Sequence, residues 1–198
     1  MLKKIILFSL LAYSSLTYSA DIYKIDPEHT YSSFEYRHWG LSTQRGRFDK
    51  TWGSIELDTE ANTGTIQIEI DANSISTGSD TFNQVMKSST FFDTEAFPKI
   101  TFASTKLHFS DKKLTQIEGN LTIKDTTKPI VLEISQFECR FVLIYLNHAC
   151  GANGQAKISR SDFKLGRYVP FVSDEIILYF SVEGTRQSST TSTSPVTN

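Results

Sequence analysis

The sequence predicts an all-β chain, an antiparallel sandwich or barrel carrying one short helix. Three observations predict it. Apolar residues alternate with polar ones at a period of two in several segments. Turn residues separate those segments at intervals of about ten residues. One stretch alone shows helical spacing. Period-two alternation puts one face of each strand on a core and the other in water.

The elements follow in chain order. Ile66, Ile68 and Ile70 alternate with Thr65, Gln67, Glu69 and Asp71, behind the turn Ala61-Asn62-Thr63-Gly64. From Asp80 to Ser88 (DTFNQVMKS), Phe82, Val85 and Met86 fall at helical spacing, with Ser79 or Asp80 as the N-cap. Pro98 fixes the chain as it enters the next strand, which carries Ile100, Phe102, Leu107 and Phe109. After the turn Ser110-Asp111-Lys112-Lys113, Ile117, Leu121 and Ile123 mark a strand around Gly119. A turn from Asp125 to Pro129 leads to Ile130, Leu132 and Ile134. Ile176, Leu178, Phe180 and Val182 close the domain, with Ile177 and Tyr179 on the opposite face. A helix plugging one end of a barrel is the economical arrangement.

Between the helix and the strand after it lies SSTFFDTEAFPKITFAST, residues 88–105. Phe91, Phe92 and Phe97 stand out among Ser, Thr, Asp and Pro. These rings either staple the loop to an ordinary core or form part of the wall of an internal cavity.

Composition bounds the rest. The 198 residues suit one domain, and 22 acidic against 20 basic residues leave a net charge of −2. That balance excludes a general nucleic-acid binder, which shows a basic excess. The start reads as an export signal, residues 1–20. Lys3 and Lys4 precede an apolar run from Ile5 to Leu16, and small residues follow for cleavage after Ser19 or Ala20. The run is short for a bilayer span, so the alternative, an uncleaved anchor, is the weaker reading. No cysteine lies near the cleavage point to carry a lipid. The expected location is the periplasm, or beyond it by secretion. Residues 21–184 form the expected domain, and 185–198 a disordered Ser/Thr-rich tail. Cys139 and Cys150 are the only cysteines. In an oxidising compartment they read as a disulfide closing a hairpin or loop, with a reduced pair as the alternative.

Four stretches carry a family resemblance. They are residues 23–48 (YKIDPEHTYSSFEYRHWGLSTQRGRF), 72–105 with its S-x-x-F-F-D…F-P-x-I-T-F-x-S-T pattern, 119–133 (GNLTIKDTTKPIVLE) and 158–166 (ISRSDFKLG). In this order, across nearly all of the expected domain, they resemble the YceI-like family. The two cysteines resemble a neisserial periplasmic branch of it. The resemblance implies an eight-stranded antiparallel lipocalin-like barrel with a long apolar cavity. It also implies an exported protein that holds a polyisoprenoid such as ubiquinone or an isoprenyl diphosphate, with no covalent cofactor. Some members form dimers, so a homodimer is an expectation here, as is transient contact with a membrane. One departure is visible. Where many members carry an acidic residue and a histidine before the Phe-rich stretch, this chain has neutral Asn83 and Gln84, then Val85.

The candidate ligand-binding residues are Phe34, Tyr36, His38, Trp39, Phe82, Met86, Phe91, Phe92, Phe102 and Tyr168. Aromatic and aliphatic side chains would hold the tail. A head group needs donors at the mouth, and YRHWG (36–40) with QRGRF (44–48) brings Arg37, Arg45 and Arg47 beside Tyr36, His38 and Trp39. Arg160 and Asp162 are expected to pair at the rim. The loop between the cysteines, RFVLIYLNHA, is very apolar and reads as strand residues continuing the sheet, with a place at the mouth as the sharper alternative. Enzymatic activity is not expected: the four histidines show no metal-ligand spacing, and no nucleophile elbow or phosphate-binding glycine loop is present. The competing reading is a secreted interaction or stress protein whose barrel is packed solid.

Overall fold

The structure, a computed structural model, describes residues 20–187. The expected export signal, but for Ala20, and the tail beyond Gln187 lie outside the described residues. The strands are β1 (Asp21–Ile25), β2 (Tyr31–His38), β3 (Ser42–Phe48), β4 (Thr51–Asp58), β5 (Thr63–Asp71), β6 (Ile75–Ser76), β7 (Lys99–Ser110), β8 (Lys113–Ile123), β9 (Thr126–Val142), β10 (Asn147–Ser159) and β11 (Glu175–Arg186). The helix α1 (Asp80–Lys87) falls between β6 and β7.

These segments build a closed eight-stranded antiparallel barrel. Each of the first three staves is broken once: β1 runs on into β2, β3 into β4, and β5 into β6. The ring closes where β11 pairs with β2 through Ile177–Ser181 and with β1 through Gly184–Arg186. Each stave neighbours the next in sequence, which suits an up-and-down meander.

The alternating residues face inward as the sequence predicts. Ile66, Ile70, Ile100, Phe102, Ile117, Leu121, Ile123, Leu132 and Ile176 are buried in one continuous cluster. Each such side chain contributes about 1.5–3 kcal/mol when fully withdrawn from water. Two inward rings rest over glycines of the neighbouring strand. A Cβ at Gly119 would lie 2.3 Å from Phe102 Cζ, and one at Gly154 2.3 Å from Phe180 Cζ. Phe34 sits likewise over Gly46, its register partner. Rings held against the wall in this way leave the barrel axis open.

The helix forms for local reasons. Ser79, not Asp80, is the N-cap: its Oγ accepts from the Phe82 N–H at 3.3 Å. Asp80 in the first turn and Lys87 in the last suit the helix dipole. Met86 is buried and Phe82 packs against the core, so α1 covers one end of the barrel.

Cys139 and Cys150 are bonded between directly paired residues of β9 and β10. The hairpin runs on past them to a tip at Leu143–Leu146. β11 extends to Arg186, whose side chain pairs with Asp21 at 3.0 Å, and the Gln187 N–H donates to Ile22 O.

Candidate functional site: the barrel cavity

Inside the barrel, toward the α1 end, lies a cavity of about 400 Å³. That is the size range of small-molecule sites. Its depth is hydrocarbon, from Ile68 and Ile70 to Leu121, Ile158 and Leu178. A waist of Ile68, Phe102, Leu132, Phe180 and Val182 separates it from a second void of about 70 Å³ toward the disulfide end. An interior packed solid by its own side chains is therefore not what this sequence builds.

Nine of the ten candidate residues line the larger cavity: Phe34, Tyr36 and His38 of β2, Phe82 and Met86 of α1, Phe91 and Phe92 of the following turn, Phe102 of β7 and Tyr168. The tenth, Trp39, does not. It sits at the β2–β3 turn, exposed, stacked on Phe171 with ring centroids 4.7 Å apart. The turn is the physical reason. Trp39 and Gly40 have φ of 53° and 68°, and the Leu41 N–H donates to His38 O, which carries the indole outward at the corner.

The Phe-rich stretch divides the same way. It folds back on the end of α1: the Phe92 N–H donates to Met86 O and the Thr94 N–H to Lys87 O, both at 3.0 Å. That fold aims Phe91 and Phe92 into the barrel, where Phe92 meets Phe48 edge-on at 5.4 Å. Phe97 faces elsewhere, half-buried under Lys124 Nζ, and only staples the loop.

The polar groups gather at one end. Arg160 is buried yet forms no pair with Asp162, contrary to expectation. Its guanidinium instead donates to the carbonyls of Leu165, Arg167, Val172 and Ser173, so it braces the 164–174 loop. Residue Asp174, rather than Asp162, is the carboxylate that favours its charge, and burial alone draws its pKa down. Burial pushes the Tyr36 hydroxyl up, partly offset by Arg160, so Tyr36 is a neutral donor at the cavity wall. Arg167 lines the mouth with its guanidinium over the Tyr168 ring at 5.0 Å. Arg45 and Arg47, expected near a head group, are engaged outside by Glu35 and Asp49. Thr51 is a residue the sequence did not single out. It lines the cavity, is 1% exposed, and its hydroxyl has no partner among the described residues. Nothing in the residues around it announces that, because it follows from the bend between β3 and β4.

The apolar hairpin tip is not at the mouth. The mouth lies beside α1, Ile123 and Arg160, whereas β9 leaves that end at Thr126 and reaches its tip at the far rim, level with the start of β1. Among the described residues, no group of three His, Cys, Asp or Glu is placed to hold a metal.

A closed antiparallel barrel around an apolar pocket defines a lipocalin-like binding architecture. Residues 23–184 match the family model described as YceI-like domain. A UPF0312 protein of Enterobacter sp. (strain 638) is 33% identical over 192 residues, covering 93% of this chain and 96% of its own. The chain belongs to the YceI-like family. Two solved structures share the fold. BcnA of Burkholderia cenocepacia matches with a TM-score of 0.68 at 22% identity, over 80% of this chain and 98% of its own. A polyisoprenoid binding domain from Saccharophagus degradans matches with a TM-score of 0.63 at 16% identity, over 83% and 98%.

Proposed function

We propose that this protein binds an isoprenoid lipid of the ubiquinone or isoprenyl diphosphate type, holding it in the periplasm for storage or transport. The observation that carries this reading is the polarity gradient of the cavity. Most of its wall is hydrocarbon, interrupted by the hydroxyls of Thr51, Ser32 and Ser33, while Tyr36, His38, Arg160, Arg167 and Tyr168 collect at one end. An isoprenoid has that same division, a long tail without polar groups and a head that accepts hydrogen bonds. Each buried CH₂ of the tail contributes about 0.8 kcal/mol, so a few isoprene units suffice for firm binding. The head is favoured by the buried charge of Arg160 and by the donors of Tyr36 and Arg167. The polyisoprenoid-binding relative of the same fold supports the ligand class, and the disulfide is consistent with an oxidising compartment.

The test is native mass spectrometry of protein purified from its own host. A bound mass of several hundred daltons that is lost on organic extraction is the expected result, and a bare polypeptide would refute the reading. Gly46→Ala adds a specific check. The new Cβ would meet Phe34 Cζ at 2.5 Å and turn the ring off the wall into the cavity, so retained lipid should fall while the fold persists.

A further inference from the structure

Apolar side chains reach solvent in two clusters at opposite ends of the barrel. One is the β9–β10 tip. The other surrounds the cavity mouth. There Leu41 is 85% exposed and Trp39 and Phe171 more than half exposed, with Tyr168 and Val169 beside them. The mouth cluster is one surface. The Trp39 N–H donates to Phe171 O at 2.8 Å, His38 bridges to Val172, and the two rings stack. We propose that this rim docks the cavity mouth on an anionic lipid bilayer.

Three features favour a bilayer over a protein partner. The rim is continuous with the cavity, because His38 and Tyr168 line the mouth and flank Trp39 and Val169 in the chain. Its charge suits an anionic surface. Arg37 and Arg167 sit beside the apolar residues, and neither forms an ion pair among the described residues. Of the carboxylates of these segments, Glu35 is paired with Arg45, and Asp174, hydrogen-bonded to Ser161, is set against the charge of the buried Arg160. Finally, the side-chain types match membrane depth: an aliphatic Leu41 at the turn, amphipathic aromatics around it and guanidinium groups behind. Trp39 and Tyr168 are both held at positive φ, 53° and 68°, a region bulky residues rarely occupy. The chain tolerates that conformation at both corners of the mouth.

A seat on the membrane would let a water-insoluble ligand pass between bilayer and cavity without crossing water. The inference thus extends the function proposed above, and the test keeps the two separable. Purified protein is sedimented with cargo-free vesicles, either phosphatidylcholine alone or four parts phosphatidylcholine to one part phosphatidylglycerol. In parallel, uptake of a fluorescent farnesyl analogue from detergent solution reports the cavity. Leu41→Ser combined with Phe171→Ser should weaken binding to the mixed vesicles by about tenfold or more, with uptake from detergent unchanged. Arg37→Gln and Arg167→Gln should each cost about fivefold on the mixed vesicles and little on phosphatidylcholine alone. Ile144→Ser with Leu146→Ser at the far tip should bind as the wild type does. The inference is overturned if the unaltered protein does not sediment, if the rim variants sediment with it equally, or if only the tip variants lose binding. It is also overturned if the rim substitutions merely convert a dimer to a monomer. Vesicle binding without analogue uptake would instead refute the cavity reading and leave docking standing.

Discussion

At the scale of single residues, the cavity depends on what small and charged side chains allow their neighbours to do. Gly119 and Gly154 let Phe102 and Phe180 lie against the wall, so bulky rings enclose a void instead of filling it. Arg160 acts by another route. Its donors hold four carbonyls of the 164–174 loop, the segment that supplies Arg167 and Tyr168 to the mouth. Arg160→Met keeps the stem but strands those carbonyls, each left without a partner at about 1–3 kcal/mol before water reaches it. The expected loss is about 3 kcal/mol in urea unfolding, with faster amide exchange in the 164–174 loop. Unchanged stability would show that the loop does not need this brace.

Among the elements, the break between β1 and β2 illustrates how a turn is fixed and how it responds to pH. The Asp26 carboxylate accepts from the Glu28 N–H and lies 2.7 Å from His29 Nδ1. That hydrogen bond holds the Asp26 pKa below its usual value and His29 above its own. The two signs differ. The stabilisation from His29 is complete below its ordinary pKa, about 6.5, and is lost as pH rises through the raised folded value. The stabilisation from Asp26 is present above its ordinary pKa, about 3.9, and is lost as pH falls through the lowered folded value. The pair therefore counts most near about pH 5. His29→Gln should lower the melting temperature most there, slightly because both groups are near the surface, and the gap should close as pH rises past the raised folded value of His29 and as it falls past the lowered one of Asp26. A gap independent of pH would mean that the turn is held by backbone contacts alone.

Over the whole molecule, the disulfide and barrel closure do different jobs. Closure by β11 on β1 and β2 creates the interior. The Cys139–Cys150 bond joins two strands that already pair, so it adds little shape and acts mainly by restricting the unfolded chain. Replacing both cysteines with alanine should cost about 3 kcal/mol on the chain-entropy model, read as a lower urea midpoint. The cavity lies at the other end of the barrel, so lipid retention below that midpoint should not change. Loss of the lipid with the fold intact would show that the two ends are coupled.

Some of this was legible in the chain itself. The alternating isoleucines of β5, β8 and β9, the helical spacing of Phe82, Val85 and Met86, and the pairing of the two cysteines each depend on local pattern or chemistry. The motifs that mark the family ran in order along the chain. Short-range signals could not say which way a corner turns: Trp39 and Phe97 look as suited to a lipid as Phe34 and Phe91, yet a left-handed turn and a folded-back loop send them outside. Nor could they show that the apolar tip is remote from the mouth, that Arg160 holds carbonyls instead of Asp162, or that Thr51 faces the void unpaired. Those facts exist only once distant strands close into a ring. Sequence determined which side chains are apolar and where the strands run; the closed tertiary structure decided which of them enclose space, because a cavity is a property of the gaps between segments far apart in the chain.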